Sequence, residues 1–438
     1  MGTPETSLET DTKLKRIAWL TARDPHKRFE CVMHHFNEAS LAACFHGLDG
    51  TKAVGIDGTD KAQYGASLET NLKDLVARMK RMAYRPAPVR QVRIPKEGKP
   101  GATRPLGIST LEDKIVQKMM QKVLESIYEP LFLDCSYGFR PGRGCHDAIR
   151  ALHQHLFRHK VETVIDLDLA NFFGTLDHQL LIELLRQKIG DERLIRYLIR
   201  MFKAGVMADG DLTVSEEGVP QGSSCSPVLA NIVAHYVLDT WFETVVKVHC
   251  VGRVELFRYG DDAVICCHYE RDAQRIVKAM KGRLAKYHLT LNEEKTRLVP
   301  FSIPVHHQGD KPGMFEFLGF TFYWGQSRQG TAIPKVKTSG RRLRGKLKRV
   351  NHWARSVRDR YPLKLIWARF RAKIEGHNRY YGVSFNRRAL RTFSQQARRI
   401  PFKHLNRRSQ RKSFTWEQFV RFMEVHPLPA VRIYHTLF

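Results

Sequence analysis

Two short acidic clusters hold the residues best placed to do chemistry. In Val161-Glu-Thr-Val-Ile-Asp-Leu-Asp-Leu-Ala-Asn-Phe-Phe173, the apolar Ile165, Leu167 and Leu169 alternate with Asp166 and Asp168. That period of two predicts a strand with both carboxylates on one polar face. In the second cluster, apolar runs on either side of Gly260-Asp261-Asp262 predict a β-hairpin whose tight turn projects two adjacent acids beyond the sheet. Adjacent carboxylates repel, and a divalent cation supplies the opposing charge. Magnesium suits hard oxygen ligands. Two such ions, ~3.5–4 Å apart, activate a hydroxyl and stabilise a leaving phosphate oxygen during in-line displacement, which is the chemistry of nucleotide polymerisation. Taken alone, an Asp-Asp pair equally fits a solvated turn.

The elements around these clusters belong to a chain of 438 residues, 42% hydrophobic and 27% charged, with a net charge of +29. This is globular composition, long enough for more than one domain. The surplus of positive charge predicts a polyanionic partner, nucleic acid before any acidic membrane. Residues 331–438 hold 28 Lys and Arg against Asp359, Glu375, Glu417 and Glu424, which is +24 of the total. A basic module therefore follows a nearly neutral body. Within it, Leu343 to Val357, Leu363 to Tyr381 and Leu390 to Ile400 keep helical spacing, with breaks at Tyr361-Pro362 and Gly382–Asn386. Three amphipathic helices follow, with Arg341, Arg342, Arg344 and Lys348 on the side that can track a phosphate backbone. A short helix from a Thr415 cap through Met423 comes last. The aromatic residues Tyr380, Tyr381, Phe385, Phe393 and Phe402 fit core packing better than base stacking. Eight cysteines form no Cys-x-x-Cys pair, as expected of reduced thiols. No apolar run is long enough for a membrane span, and no secretory signal is visible, so the reading is cytoplasmic and nucleic-acid-associated.

In order along the chain, several motifs resemble those of the group II intron-encoded reverse transcriptase/maturase family. They are Ile94-Pro95-Lys96 with Arg104-Pro105-Leu106-Gly107-Ile108, then Tyr137-Gly138-Phe139-Arg140-Pro141-Gly142-Arg143, the Asp168 strand, and Val219-Pro220-Gln221-Gly222-Ser223 with Ser226-Pro227. Tyr259-Gly260-Asp261-Asp262, Glu294-Lys295-Thr296, Phe317-Leu318-Gly319-Phe320, Gly376 to Gly382 and Leu405 to Gln410 complete the series. The resemblance implies an α+β right-hand polymerase with fingers, an antiparallel-sheet palm with helices on one side, and a three-helix thumb. The expected boundaries are an N-terminal extension to residue 60, fingers 61–150, palm 151–330, thumb 331–404 and a basic DNA-binding tail 405–438.

Residue roles follow from the same resemblance. Asp168 and Asp261 are the implied metal ligands, Asp262 shapes the same negative site as a weaker ligand, and Asp166 competes for the first position. Two Mg2+ ions are implied, with Mn2+ as substitute. Phe173 falls where the family places an aromatic ring against the sugar of the incoming nucleotide, which would exclude a 2′-hydroxyl. Lys96 and Arg104 would hold the triphosphate, Gln221-Gly222 would approach nucleotide and template, and Lys295 would protonate the departing pyrophosphate or lie at the surface. Arg140, Arg143, Tyr259, Gly260, Arg341, Arg342, Arg344, Lys348, Arg407 and Arg408 are the implied nucleic-acid contacts. Implied partners are an RNA template, a DNA or RNA primer, dNTPs, a structured group II intron RNA and target DNA, with no membrane.

Two departures stand out: Gly260 where the family usually has alanine, and Gly174 where it has an acid. The first predicts altered primer or metal preference. No Cys-paired, His-Asn-His endonuclease module is visible, so no DNA cleavage is expected of a short form. Three alternatives stay open: an intron-free group II-like enzyme of DNA repair or defence, a splicing cofactor without catalysis, and an RNA-dependent RNA polymerase, which also uses Gly-Asp-Asp.

Overall fold

The alternating segment Thr163–Asp168 forms a central strand of a four-stranded antiparallel sheet in the computed structural model, which describes residues 4–95, 101, 103–208, 210–215, 217–219, 222–304, 313–408 and 414–438. The strand order is Val254–Tyr259, Asp262–Cys267, Thr163–Asp168, Arg297–Pro300. The hairpin predicted around Gly260 is present. Tyr259 pairs with Asp262, so Gly260 and Asp261 are the two loop residues. Gly260 has φ +66°, as the first position of a type II′ hairpin turn requires.

Helices cover both faces of this sheet, not the single face expected. Ile165, Leu167, Ala263, Ile265 and Cys267 pack into a core shared with the helices Ser226–Ala234 and Glu270–Ala285. On the opposite face Val164, Val264, Cys266 and Phe257 pack with the helix Cys145–Arg158 and a small antiparallel sheet, Phe315–Phe317, Phe320–Gln326 and Ala332–Thr338. The cause lies in the hairpin strand itself. Ala263 to Cys267 is an unbroken apolar run, buried throughout, and a strand of that kind needs cover on both sides. Each buried Val or Ile contributes ~1.5–3 kcal/mol relative to exposure, so an uncovered face would be costly.

A second four-stranded sheet stands beside the first, in the order Thr103–Ile108, Val89–Pro95, Val206–Ala208, Asp211–Thr213. The three basic helices are Gly340–Val357, Leu363–Tyr381 and Arg387–Leu405, broken where the sequence pattern predicts. Their core consists of Val350, Trp367, Phe370, Ile374, Phe393 and Ala397, joined by Phe419 from the last helix, Trp416–Val425. Tyr381 and Phe393 are buried, and Tyr380, Phe385 and Phe402 are half-buried against other rings. The chain then returns to the body of the protein. Tyr434 and His435 donate backbone N–H groups to Gly382, Leu437 is buried, and the Phe438 ring meets His153 and Phe157. The eight cysteines are free thiols, and among the described residues no helix is long and apolar enough to cross a membrane.

One buried ion pair ties these layers together. Arg258, 1% exposed, donates to both carboxylate oxygens of the fully buried Asp239 at 2.8 and 2.6 Å. Asp239 ends a π-helical segment, His235–Asp239, in which the helix from Ser226 widens and turns this carboxylate toward the sheet. The same guanidinium donates to Asn231 Oδ1, Ser136 Oγ and the Gly260 carbonyl, so a charge removed from water is matched on every side.

Stripping one partner from such a pair costs about 3–5 kcal/mol, because the other charge is left buried and uncompensated. Asp239→Leu should therefore lower the urea midpoint strongly, whereas Arg258→Met combined with Asp239→Leu should recover much of the loss. Equal midpoints for Asp239→Leu and the parent would contradict this account of the network.

Candidate active site

The pairing register brings the two acidic clusters to one place. Asp168, the last residue of its strand, lies directly opposite Asp262, the first residue after the hairpin turn, with Asp261 adjoining it in the turn. Asp166, two residues back on the same face, is engaged by Arg297 at 2.7 Å. Lys295 Nζ lies 2.6 Å from Asp168 Oδ2 and 3.1 Å from Oδ1. That lysine is held by the loop after Leu291, where the Asn292 N–H donates to the Asp168 carbonyl at 2.9 Å.

Electrostatics at this junction are those of crowded anions. Water reaches Asp261 and Asp262 from the cleft, yet its walls remove enough hydration to disfavour their charged forms. Asp262 is pushed up to about 6, first by burial and then by Asp261 and Asp168, with Arg342 opposing. Asp261 is raised by burial and by Asp168, against Lys295 and Arg104. Asp166 is raised by burial and restrained by Arg297.

Such a donor set of hard oxygens with surplus negative charge fits a divalent cation such as Mg2+. Among the described residues no three ligating side chains converge to enclose an ion by themselves. A cation here would complete its shell with phosphate oxygens and water, as Mg2+ commonly does.

Two openings meet at these carboxylates. One, of about 460 Å3, is lined by Asp166, Asp168, Asp262, Glu316, Arg341 and Arg342. The other, of about 530 Å3, is lined by Arg104, Asn171, Phe173, Val219, Asp261 and Lys295. The acids thus form a ridge between two spaces, one toward the basic helices and one toward the second sheet.

The remaining residues singled out in the sequence fall in several places. Arg104 lies on the strand Thr103–Ile108 opposite Ile94 and faces the second opening. Lys96 and Gln221 lie outside the described residues. Gly222 has φ +118°, and a Cβ there would fall 2.4 Å from the Gly107 carbonyl, so only glycine lets this loop lie against that strand. The following helix begins at Ser226 with Cys225 as N-cap, and Pro227 lies in its first turn.

Gly174 is packed against the Asn171 amide, which an acid at this position would have to displace. Arg140, expected among the nucleic-acid contacts, is buried. It pairs with Glu129 and donates to the carbonyls of Leu133 and Ser136, so its charge belongs to the fold. Arg143 pairs with Asp134 and lies over the Tyr137 ring. Arg341 reaches Glu316 at 3.5 Å, Arg342 faces the acidic ridge, and Arg344 and Lys348 lie further along the same helix. Arg407 and Arg408 follow the third basic helix, with Arg408 donating to the Tyr361 carbonyl.

Sequence reasoning missed the residues that hold the hairpin. Ser136 and Arg258 form a parallel bridge that adds the segment before Tyr137 to the sheet edge, and Asn231 donates to the Gly138 carbonyl at 2.7 Å. A Cβ on Gly138 would fall 2.4 Å from the Gly260 nitrogen, which explains a glycine at that position. The one available signal was an arginine set between Phe257 and Tyr259 in the strand Val254–Tyr259.

Residues 94–322 match the family model described as reverse transcriptase (RNA-dependent DNA polymerase). The chain is 31% identical to Protein YkfC of Escherichia coli K12 over 74% of its length and 92% of that protein's. It is 36% identical to the group II intron-encoded protein LtrA of Lactococcus lactis over 38% of its length, but only 27% of LtrA's. A 91 kDa protein in the cob intron of Schizosaccharomyces pombe is 36% identical over 45% of the chain and 23% of that protein. With its acidic ridge inside the matched segment, the chain belongs to the reverse transcriptase (RNA-dependent DNA polymerase) family, alongside proteins encoded by group II introns.

Proposed function

We propose that this protein adds deoxynucleotides to a primer 3′-hydroxyl on an RNA template, at the ridge formed by Asp168, Asp261 and Asp262. The observation that carries the reading is the cross-strand pairing of Asp168 with Asp262 beside the Gly260 turn, between two openings that differ in their lining. In this reading the central antiparallel sheet is the palm, the second sheet belongs to the fingers, and the basic helices form the thumb. The basic residues following the thumb, with Arg407 and Arg408, would extend its contact to target DNA.

The opening toward the basic helices would admit the primer–template, with Arg341, Arg342, Arg344 and Lys348 set along its phosphates. The other would admit the incoming nucleotide. There Arg104 would compensate triphosphate charge and Phe173 would bar a 2′-hydroxyl, with Lys96 the second cation that the resemblance implies for the triphosphate. Asp168, Asp261 and Asp262 would hold two Mg2+ ions, or Mn2+ in their place. When bound, these ions favour deprotonation of the primer hydroxyl and neutralise charge developing on the leaving pyrophosphate. Lys295, whose Nζ lies 2.6 Å from Asp168 Oδ2, would protonate that leaving group.

A second reading accompanies the first: binding a structured group II intron RNA and assisting its splicing. It is favoured by the +24 concentrated in residues 331–438 and by the relative named as intron-encoded.

Asp261→Ala is expected to cut primer extension by at least about 10²–10³-fold, the scale of losing one preorganised electrostatic group, while template binding persists. Gel-resolved extension of an oligo(dT) primer on poly(rA) reads this, and full activity in the variant would overturn the assignment. A second expectation concerns charge. Each phosphate contact contributes ~0.7–0.9 to the slope of log binding constant against log salt. Replacing Arg344 and Lys348 by Gln should therefore flatten that slope by roughly 1.4–1.8 in filter-binding titrations. An unchanged slope would place the nucleic acid on another surface.

A further inference from the structure

Phe139 has no role in anything derived so far, and its conformation is unusual. Its backbone is left-handed, with φ +58°, a region that bulky residues rarely occupy without a local reason. The residue is 47% exposed, although it sits among the site's own residues. It meets Phe173 edge to face, with centroids 6.4 Å apart and planes at 85°, and it lies 5.9 Å from the Tyr259 ring. On the turn itself, a Cβ added to Gly260 would fall 2.8 Å from Phe139 Cε2. The methyl that Gly260 lacks would thus face this ring. The backbone that presents Phe139 is fixed from two sides, by the Asn231 bond to the Gly138 carbonyl and by the contact of Gly138 with the Gly260 nitrogen.

We propose that Phe139 is a positioning residue for sugar discrimination: its ring bridges the Gly260 turn and Phe173, and so fixes the angle at which Phe173 meets the sugar of the incoming nucleotide. Glycine at position 260 is then the condition for the bridge, because a side chain there would push the Phe139 ring away from its seat. The inference rests on the reading of Phe173 as the sugar sensor. It adds that the sensor is set by a residue on a different segment, locked to the catalytic turn.

The test compares kcat/KM for dTTP and UTP on poly(rA)/oligo(dT) in the full chain. Phe139→Ala should lower the dTTP/UTP preference roughly 3- to 10-fold, the scale of one lost edge-to-face ring contact, mainly through a lower KM for UTP. Phe139→Tyr, which keeps the ring, should retain the parent's preference. Gly260→Ala should lower the preference without altering Phe139 itself. Phe139→Ala combined with Gly260→Ala should lose no more than the larger single effect, since both act through one contact. Phe139→Leu replaces the alanine variant if the latter does not fold.

Phe173→Ala separates the two layers of the argument. If it raises UTP use while Phe139→Ala and Phe139→Leu leave the preference unchanged, the inference fails and the sensor reading stands. If Phe173→Ala itself leaves the preference unchanged, both fail. Weaker primer–template binding by Phe139→Ala with unaltered sugar preference would also overturn the inference, in favour of direct contact between Phe139 and the duplex.

Discussion

Arg258 is the charge on which the geometry of this site depends. An arginine sealed from water is tolerable only where its donors are matched, and here the acceptors come from separate stretches of chain: Asp239, Asn231, Ser136 and the Gly260 carbonyl. None of these can shift without leaving a buried polar group unsatisfied. The penalty that makes the pair a poor source of net stability also makes it a strong constraint on position. Because one acceptor is the carbonyl of the turn that carries Asp261, the constraint reaches the carboxylates directly. The widened helix belongs to the same solution, since it is the segment that ends on Asp239.

Alternation and turn chemistry made much of this legible before any coordinates. Ile165 and Leu167 against Asp166 and Asp168 announced the strand, Gly-Asp-Asp between apolar runs announced the hairpin, and apolar spacing from Leu343 to Ile400 announced three helices with their breaks. What failed was the cover of the sheet. Ala263 to Cys267 does not alternate, and that run already implied two buried faces. Arg140 misled for another reason. The resemblance places it among the nucleic-acid contacts, but its partner Glu129 is eleven residues away on a different element, a pairing that periodicity cannot reveal. The same holds for Arg258 and Asp239, whose meeting depends on a local change of helical pitch.

The distribution of charge sorts the molecule into two parts with different physical tasks. The nearly neutral body can gather carboxylates because cations offset them locally: its own Arg297 at Asp166 and Lys295 at Asp168, with Arg342 of the first basic helix near Asp262. The basic helices have few internal acids, and most of their positive charge faces outward around an apolar core of Phe370, Ile374 and Phe393. Like charges on one surface raise its potential and lower its stability together. The core of that region is correspondingly rich in large rings, and the last helix adds Phe419 to it.

The glycines near the turn show how closely backbone paths are tied to the site. Gly138 must lack a side chain because the Gly260 nitrogen occupies that space, and Gly222 must because the Gly107 carbonyl does. Gly260 differs from both. Its positive φ already favours glycine on conformational grounds, but the atom a methyl would strike belongs to a side chain, Phe139, and not to the backbone. A side-chain obstacle can move where a backbone obstacle cannot. The first two glycines are therefore demanded by backbone contacts, whereas the third answers both to its turn and to the position of one ring, and positions of that kind are where specificity can change while the fold remains.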